Sequence, residues 1–554
     1  LGLETLGMAR GSRVAILAES RPDWVFGDLA ILAAGAVTVP IYPTVSAEQV
    51  ATILADSGAM ICIASTPEQL AKVLAAESRC PSLATAVTMF DAPAATGRLG
   101  VVSLKDVAAR GHKRITDGWG VAREFHDRAK TVVASDLATI IYTSGSSGEP
   151  KGVMLTHANI VANLRGIEQV LSLNERDTGL SFLPICHAFE RTTIYVYLTN
   201  GVSVVFAESI DTLPRDLLIV RPTVMSGVPR VYEKMLDRIL ERGRAETGIR
   251  RAVFNLAIAI ARARGASIPD GKPAPLWTRF GYPICQRLVY SKVAENLGGR
   301  IRFTVSGSAP LREDVGRLFF GMGLHILEGY GLTETSPVLT VNPPGQIRFG
   351  SVGPPLPNVE LKIAEDGEIL AKGPNVMMGY FNQPAATAAA MADGWFHTGD
   401  VGRIDAEGYL HITDRKKEII VTSGGKKVAP QPIEAALRGQ SMIAEALVIG
   451  ERQRFPAVLI LPRWNALAAA LGTAPPADNA GREALAARPE ARALIQSAID
   501  AVNAPLAHFE KLKAFAVIVE DFSIKGGELT PTLKVKRRVV EQRYADKIAD
   551  IYRA

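Results

Sequence analysis

The sequence predicts an α/β protein, with a large N-terminal domain of mixed, mostly parallel sheets and a smaller α+β domain at the C-terminal end. Apolar runs alternate with helical patterns near the start, where residues 37–42 (VTVPIY), 46–58 (SAEQVATILADSG) and 60–65 (MICIAS) follow one another. Strands that alternate with helices are typical of parallel sheets. The same alternation returns in three later apolar runs, at 201–206, 222–228 and 301–307.

The first helix is predicted to run from Pro22 to about Ala34. Proline suits the first turn of a helix, and Ser20 is of a residue type that caps helix starts, so we expect Ser20 to be the cap. Gly35 is expected to end the helix.

The pattern changes twice along the chain. Between about 233 and 298, apolar residues recur at helical spacings, which predicts a helical insertion. Its range Lys234–Arg264 holds eight Lys and Arg against three Asp and Glu, so these helices carry a basic face that either is solvated or meets a membrane. The predicted domains are 1–414 and 415–554, the second with the pattern of an α+β unit.

Composition limits the possible partners. The 554 residues carry a net charge of +6, which fits an anionic partner such as a nucleotide, coenzyme A or a membrane surface. The sequence has neither zinc-finger spacing nor a dense basic tract, so we expect no nucleic-acid partner. The longest apolar stretch, at 29–42, contains Gly35 and Pro40 and is too short to span a bilayer.

The cysteines and the first residue bear on location. The four cysteines are scattered without metal-binding or redox spacing, which favours a reducing compartment. We therefore expect a cytoplasmic protein, with peripheral contact to the inner face of the membrane as the alternative that the basic helices leave open. Because the chain begins at Leu1 rather than methionine, we expect a native N-terminal segment to be missing.

A glycine-rich segment is the strongest chemical signal. Residues 138–152 read ATIIYTSGSSGEPKG, a strand-like run that enters a loop of hydroxyl and glycine residues. Glycines let backbone N–H groups approach phosphate oxygens, and a lysine adds positive charge. Gly152 after Lys151 departs from the Walker pattern. The candidate phosphate-binding residues are Thr143, Ser144, Gly145, Ser146, Ser147, Gly148 and Lys151.

This segment, with VMLTHANI directly after it, resembles the signature of the adenylate-forming superfamily, which includes acyl-CoA synthetases, luciferases and the adenylation domains of peptide synthetases. Further matches follow in the family's order along nearly the whole chain. The resemblance implies a large adenylate-forming domain with a small mobile C-terminal domain. It also implies ATP, Mg²⁺ and coenzyme A as cofactors and cosubstrates.

Two segments resemble long-chain acyl-CoA synthetases in particular. Residues 183–191 read LPICHAFER, and 226–235 read SGVPRVYEKM before the helical insertion. The resemblance makes His187 a residue of the pocket for ATP and the acyl group. By analogy, the two segments favour long acyl chains over aryl or acetyl groups.

Residues 328–335 (EGYGLTET) resemble the strand and turn that border the adenine and phosphates in the family. The resemblance implies that Tyr330 stacks on adenine, that Thr333 bonds a phosphate, and that Glu334 holds magnesium with help from Thr143. Upstream, SGSAP at 306–310 resembles the loop between nucleotide and acyl group. The further contacts implied are Gly307, Ser308, Ala309, Gly329 and Gly331.

Three matches surround the predicted domain boundary. In WFHTGD, Asp400 matches the carboxylate that accepts hydrogen bonds from both ribose hydroxyls. In DRKKE, Arg415 matches a second ribose or phosphate contact, and Lys417 matches the interdomain hinge. The family uses the segment matched by SGGKK in the thioester half-reaction, which implicates Ser423, Gly424 and Gly425.

The catalytic lysine of the family lies in a C-terminal loop that begins with proline and small residues. In GELTPTLKVKRR, at 527–538, Lys534 occupies that place, with Lys536 and Arg537 as nearby competitors. The sequence has Thr-Leu-Lys instead of the commoner Ser-Gly-Lys. This departure is similar to the form found in long-chain synthetases.

The pattern as a whole predicts an ATP-dependent long-chain fatty acid–CoA ligase, with a fatty acid and coenzyme A as partners. The implied catalytic residues are Lys534, Glu334, Thr333 and His187. Two alternatives stay open: a ligase that stops at acyl-AMP and loads a carrier protein, and a non-catalytic nucleotide or lipid sensor of the same fold.

Overall fold

A computed structural model describes residues 1–93, 97–144, 150–524, 526–530 and 532–553, with Ser144 described by its backbone alone. The chain divides into two compact units. The large unit comprises Leu1–Lys362, Leu370–Thr398 and Ala406–Leu410, and the small unit comprises Ile363–Ile369, Gly399–Asp405 and His411–Ala554.

The strands belong to sheets in both units. In chain order they are β1 (Arg13–Leu17), β2 (Val37–Ile41), β3 (Ile61–Ala64), β4 (Thr85–Thr88), β5 (Gly100–Ser103), β6 (Leu137–Ser144), β7 (Pro150–Thr156), β8 (Thr178–Ser181), β9 (Ser203–Phe206), β10 (Val224–Gly227), β11 (Phe303–Ser306), β12 (Ile326–Gly331), β13 (Val338–Val341), β14 (Glu360–Ile363), β15 (Glu368–Lys372), β16 (Gly379–Tyr380), β17 (Met391–Ala392), β18 (Trp395–Ile404), β19 (Leu410–Arg415), β20 (Ile420–Val421), β21 (Lys427–Val428), β22 (Ile443–Ile449), β23 (Ala457–Pro462) and β24 (Phe515–Val517).

The α-helices alternate with these strands through most of the chain. They are α1 (Pro22–Ala33), α2 (Ala47–Ser57), α3 (Pro67–Ala75), α4 (Leu104–Asp117), α5 (Val121–Ala129), α6 (His157–Glu168), α7 (Ala188–Thr199), α8 (Leu213–Val220), α9 (Pro229–Ala245), α10 (Gly248–Ser267), α11 (Leu276–Cys285), α12 (Ser291–Asn296), α13 (Glu313–Gly321), α14 (Pro384–Ala390), α15 (Pro430–Arg438), α16 (Trp464–Ala470), α17 (Asn479–Ala487), α18 (Pro489–Asn503), α19 (Arg537–Arg543) and α20 (Ala545–Arg553).

The first sheet of the large unit has the strand order β16-β7-β6-β2-β1-β3-β4-β5. Strands β1 to β5 pair in parallel, and β2 also pairs in parallel with β6. Strands β2 and β3 are buried along their whole length, as expected for a sheet covered by helices on both faces. The predicted α/β fold with a mostly parallel sheet is therefore confirmed.

The second sheet of the large unit has the order β13-β12-β11-β10-β8-β9, and only β13 is antiparallel to its neighbour among these strands. The carboxyl ends of β8, β10, β11 and β12 therefore lie along one edge. Ligands of open α/β sheets bind outside this edge. The segments that contain His187, Gly307 and Tyr330 all follow or end these strands.

Helix α1 begins as predicted at Pro22, but the predicted cap is wrong. Arg21 is the N-cap residue and makes no capping side-chain bond. The Ser20 hydroxyl instead donates to the Leu183 carbonyl at 2.8 Å and accepts the Ile185 N–H at 2.9 Å. The Ser20 hydroxyl therefore bonds the segment before His187, and this non-local contact replaces the local helix cap.

The segment predicted to be helical, at about 233–298, contains most of α9, then α10 and α11, a π turn at Gln286–Tyr290, and α12. None of the helices in the described residues is both long enough and apolar enough to cross a membrane.

The small unit has its own hydrophobic core, built on the three-stranded sheet β22-β23-β24 and the helices around it. Strand β23 is buried throughout, which fits the apolar run AVLILP. The chain passes between the two units once within each of β14, β15, β18 and β19, and once more in the segment between β18 and β19. The predicted combination of a large α/β unit and a smaller C-terminal unit is confirmed.

Candidate active site

The glycine-rich segment joins β6 to β7, which form an antiparallel pair in the first sheet. Gly145, Ser146, Ser147 and Gly148 lie outside the described residues. Thr143 and Lys151 lie opposite each other in the register of the pair, directly at the base of this loop. The hairpin therefore presents a hydroxyl and an ammonium group side by side.

Lys151 contacts an aromatic residue that the sequence analysis missed. Its Nζ lies 4.8 Å from the centroid of the Tyr380 ring, within range of a cation–π interaction. Tyr380 reaches this position because β16 pairs antiparallel with β7, placing Tyr380 opposite Val153. No local motif around Tyr380 indicates this contact, since it depends on a strand pairing across more than 200 residues.

Tyr380 also connects the hairpin to the candidate magnesium ligand. Its hydroxyl donates a hydrogen bond to Glu334 Oε1 at 2.9 Å, and the Met377 N–H donates to the Glu334 carbonyl at 2.8 Å. Burial raises the pKa of the Tyr380 phenol, and the nearby Glu334 carboxylate raises it further. Tyr380 therefore stays a neutral donor that can orient the carboxylate.

The segment 328–335 is held in place by a close backbone crossing. A Cβ atom added to Gly331 would lie 1.7 Å from the Pro337 carbonyl oxygen, so this position requires glycine. Thr333 and Glu334 then form a short 3₁₀ turn with Thr335. Tyr330, at the end of β12, is half-buried.

Glu328 is a second residue that the sequence analysis missed. It is buried, and its Oε1 accepts the Leu311 N–H at 3.0 Å. Burial raises the pKa of Glu328 to about 8. The bond ties the segment 306–311 to the start of the EGYG motif, and thus brings two predicted site segments together.

The segment 307–309 follows β11 and contains strained backbone. Ser308 has φ +71°, a left-handed conformation that costs free energy in a residue other than glycine. A Cβ atom at Gly307 would lie 3.0 Å from Cζ of Phe189. Gly307 therefore packs closely on the phenyl ring two residues after His187.

His187 is the N-cap residue of helix α7. Its Nδ1 accepts the Phe189 N–H at 3.1 Å, which in the neutral ring leaves the proton on Nε2. The His187 and Tyr42 rings make an edge-type contact, with ring centroids 6.4 Å apart. This contact positions the imidazole, and its part in catalysis stays a prediction.

Glu190 and Arg191, in the first turn of α7, are buried and connect the surrounding elements. Glu190 accepts hydrogen bonds from Ser181 at 2.5 Å and from Ser226 at 2.7 Å, which joins the ends of β8 and β10. Burial raises the pKa of Glu190 to about 7. Arg191 forms a buried ion pair with Asp28 at 2.5 Å.

In the small unit, Asp400 and Arg415 form an ion pair, with Arg415 Nε 2.9 Å from Asp400 Oδ1. The Asp400 side chain is 4% exposed, so the pair is largely shielded from water on the Asp side. Both residues belong to matched motifs, and the resemblance assigns Asp400 to the ribose and Arg415 to the ribose or a phosphate. The structure brings them together, and their role in binding stays a prediction.

Lys534 lies close enough to this ion pair for both charges to change its pKa. Burial lowers the pKa of the Lys534 ammonium to about 8, and Arg415 lowers it further, while Asp400 and Glu418 act in the opposite direction. A tight turn holds the lysine, because the Thr530 N–H donates to the Lys534 carbonyl at 2.8 Å. The Lys534 N–H donates in return to Thr530 Oγ1 at 3.0 Å.

The two competing basic residues have different surroundings. Arg537 Nη2 donates to Glu434 Oε1 at 2.6 Å, and Nη1 donates to the Val448 carbonyl at 2.6 Å, so Arg537 has a structural role. Lys536 is exposed. Burial opposes the charge of Arg537, but the neighbouring Glu434 carboxylate outweighs it, so the pKa of Arg537 is raised.

Lys417 and the segment 423–425 lie on the surface of the small unit. Ser423, Gly424 and Gly425 form the turn between β20 and β21, and Gly425 has φ +72°. The Gly425 N–H donates to the Thr422 carbonyl at 2.8 Å, which closes the turn. An exposed glycine turn leaves room for a ligand to approach the backbone.

The groups in the large unit fit a magnesium ion that is shared with phosphates. Within the described residues no three His, Cys, Asp or Glu side chains cluster as a metal cage. Magnesium commonly takes only one or two carboxylates and completes its shell with water and phosphate oxygens. The Glu334 carboxylate, held by Tyr380, and the Thr143 hydroxyl would hold the ion in such a site, and this role stays a prediction.

Comparisons with known proteins show the family of the chain. A family model for AMP-binding enzymes matches residues 1–381, and a model for the AMP-binding enzyme C-terminal domain matches residues 417–554. The chain is 38% identical over 554 residues to the long-chain-fatty-acid–CoA ligase FadD15 of Mycobacterium bovis, covering 100% of this chain and 90% of that protein. It is 32% identical over 580 residues to the peroxisomal long chain acyl-CoA synthetase 6 of Arabidopsis thaliana, covering 100% and 79%.

Solved structures share the fold. The adenylation domain of a carboxylate reductase from Mycobacterium chelonae superposes with a TM-score of 0.76 at 23% identity, covering 100% of this chain and 82% of that one. ATP-bound MatB from Rhodopseudomonas palustris gives a TM-score of 0.68 at 24% identity, covering 98% and 91%.

The matched models together cover most of the chain, and the curated relatives match along its full length. These relatives carry the names of long-chain fatty acid ligases, which agrees with the enzyme class expected from the motifs. The chain belongs to the AMP-binding enzyme family, the adenylate-forming superfamily that its motifs resemble.

Proposed function

We propose that the chain is an ATP-dependent long-chain fatty acid–CoA ligase. In the first step a fatty acid and ATP form acyl-AMP and pyrophosphate, and in the second step acyl-AMP and coenzyme A form acyl-CoA and AMP. The observation that carries the proposal is the grouping of Lys534 with Asp400 and Arg415 in the small unit.

Lys534 is proposed to act in the first step. The carboxylate oxygen attacks the α-phosphorus of ATP, a new P–O bond forms, and the bond to pyrophosphate breaks. Two anions approach each other in this step, so a cation beside them stabilises the transition state, by several kcal/mol in known cases. A partly desolvated ammonium serves this purpose better than a fully hydrated one, because its field is less screened.

Nucleotide binding is assigned to groups of each unit. In the large unit, Tyr330 is proposed to stack on adenine, and Thr333 and Lys151 to bind phosphate oxygens. In the small unit, Asp400 is proposed to accept from the ribose hydroxyls, with Arg415 beside it. Fixed placement of the two substrates accounts for much of the rate gain in such reactions.

Magnesium is proposed to be held by Glu334 with help from Thr143. When bound, the ion would neutralise charge on the pyrophosphate group. The chain's own contribution is to hold the Glu334 carboxylate in one orientation, through the Tyr380 hydroxyl.

In the second step the thiol of coenzyme A attacks the acyl carbon, and AMP leaves with the electron pair of the broken C–O bond. A lysine that closes over the first reaction blocks the path for a thiol, so we propose a rotation of the C-terminal domain about Lys417. The turn at Ser423–Gly425 is assigned to the thioester step.

The long-chain preference is supported by the LPICHAFER segment and by the names of the curated relatives. Those names also favour coenzyme A over a carrier protein as the acyl acceptor. A cytoplasmic setting is supported by four buried cysteine thiols.

Pyrophosphate release across a panel of acids tests the first step. We expect a maximum with long-chain fatty acids and low rates with acetate and benzoate. A maximum with acetate or benzoate would contradict the long-chain proposal, and tight ATP binding without pyrophosphate release would favour a sensor.

The acceptor is tested separately. With coenzyme A as the sole acceptor, we expect acyl-CoA and AMP to form at the rate of pyrophosphate release. Accumulation of acyl-AMP without thioester would favour transfer to a carrier protein.

A further inference from the structure

Helix α11 and the π turn after it carry a row of exposed apolar side chains. Leu276, Phe280, Ile284 and Leu288 recur at every fourth residue, and Trp277 lies beside the first of them. Their exposed fractions lie between 46% and 86%. We call these five residues the outer stripe.

The outer stripe is not the side of the helix that packs against the protein. Thr278, Cys285 and Tyr290 are buried, and the Tyr290 hydroxyl donates to the Ala257 carbonyl of α10 at 2.6 Å. Gly281 also packs on α10, because a Cβ atom there would lie 2.5 Å from Ile260 Cδ1. The helix therefore has two apolar faces, and one of them is turned outwards.

A π turn at Gln286–Tyr290 contains the last residue of the outer stripe, Leu288. Residues four apart in a regular α-helix drift around the axis, because one turn takes 3.6 residues. The wider π turn counteracts this drift between Ile284 and Leu288. A π turn inside a helix often marks a functional segment.

The segment that carries the outer stripe has an excess of basic residues. Residues 246–295 contain eight Lys and Arg and three acidic residues, Glu246, Asp270 and Glu295. Asp270 already pairs with Arg317 at 3.1 Å. Arg279, Arg287 and Lys292 are exposed on the same segment as the outer stripe.

We propose that the outer stripe and its basic flank dock on the surface of an anionic lipid bilayer. Apolar side chains enter the boundary between headgroups and acyl chains, while Arg279 and Arg287 meet the negative headgroups. Trp277 is of a residue type that favours this boundary. A second copy of the chain is a poorer occupant, because two such basic faces repel each other.

This proposal is independent of the ligase activity, and its test uses vesicle binding alone. The full chain is sedimented with phosphatidylcholine vesicles that contain or lack anionic phosphatidylglycerol. We expect binding to the anionic vesicles that weakens as salt is raised, because screening shortens the range of the arginine charges.

Three variants locate the contact. Phe280→Ser with Ile284→Ser is expected to weaken vesicle binding about tenfold or more, through loss of buried apolar area. Arg279→Glu with Arg287→Glu is expected to weaken it at low salt by about fivefold per removed positive charge or more. The matched control Ile219→Ser, on α8, removes an equally exposed side chain elsewhere and is expected to bind as the unaltered chain does.

Trp277 supplies a direct readout. Its fluorescence is expected to shift to shorter wavelength when anionic vesicles are added, and Trp277→Phe is expected to remove that shift. A thermal melt followed by circular dichroism reports whether the Phe280→Ser and Ile284→Ser change impairs folding. If it does, Trp277→Phe and the double arginine variant still test the contact.

Two results would overturn the proposal. One is vesicle binding that is absent, or equal in the outer-stripe variants and the unaltered chain. The other is a concentration-dependent dimer in sedimentation velocity that the Phe280→Ser and Ile284→Ser change abolishes, since this would assign the face to a second copy.

Discussion

The Tyr380 hydroxyl donates a hydrogen bond to the Glu334 carboxylate at 2.9 Å, and the Lys151 ammonium lies over the face of the same tyrosine ring. One aromatic side chain thus connects the base of the glycine-rich hairpin with the proposed magnesium ligand. Since burial and Glu334 both raise the pKa of Tyr380, this donor keeps its proton across the working pH range.

Tyr380→Phe should therefore leave Glu334 less well oriented without unfolding the protein. A hydrogen bond to a charged group contributes about 1.5–3 kcal/mol, so we expect half-maximal pyrophosphate release to need about 10- to 150-fold more Mg²⁺. The control is Tyr409→Phe, which removes a hydroxyl that donates to the Gln346 carbonyl in the same unit. An unchanged Mg²⁺ dependence in Tyr380→Phe would show that this bond does not serve the metal.

Lys534→Ala should suppress acyl-AMP formation by about 10²- to 10³-fold, because the cation opposite the developing charge is lost. Preformed acyl-AMP should still react with coenzyme A at close to its original rate. Lys536→Ala is the matched control, since Lys536 is exposed two residues away. Equal losses in both half-reactions would contradict the assignment of Lys534 to the first step.

The pH dependence of acyl-AMP formation should follow the Lys534 ammonium. Its pKa is lowered to about 8, so the charged form is present below that pH and is lost as pH rises through it. We expect the rate to fall above about pH 8. In Lys534→Arg the guanidinium stays charged, so a slower rate without this descending limb is expected. A descending limb shared by both proteins would assign the titration to another group.

Glu190→Gln should change how stability depends on pH. Burial raises the folded-state pKa of Glu190 from its ordinary 4.5 to about 7, so folding takes up a proton between these values. The stability of the unaltered protein therefore falls as pH rises from about 4.5 to 7. Because glutamine stays neutral, the variant should gain about 1–3 kcal/mol relative to the unaltered protein between pH 4.5 and pH 8.

Urea unfolding at both pH values measures this difference. Glu241→Gln, at an exposed position on α9, is the control and should give no comparable gain. Parallel pH profiles for the Glu190→Gln variant and the unaltered protein would mean that Glu190 is already ionised in the fold.

Local patterns predicted the start of α1 at Pro22 and the parallel strands near it, because helix starts and buried strands depend mainly on neighbouring residues. The predicted Ser20 cap was wrong because the partners of Ser20 are distant in the sequence. Ser20 bonds Leu183 and Ile185, which are 163 and 165 residues away, and no local signal reports such a partner.

The sequence by itself determined the order of the motifs and the residue types within them, and therefore the family to which the chain belongs. The tertiary structure decided which groups are buried and which charges lie close to them. It gave Lys534 and Arg537 different surroundings and placed the Tyr380 hydroxyl beside Glu334. It also left the outer stripe exposed next to basic side chains. The physical reason is that pKa and hydrogen-bond geometry depend on burial and on distances of a few ångströms, and both are set by contacts between segments far apart in the chain.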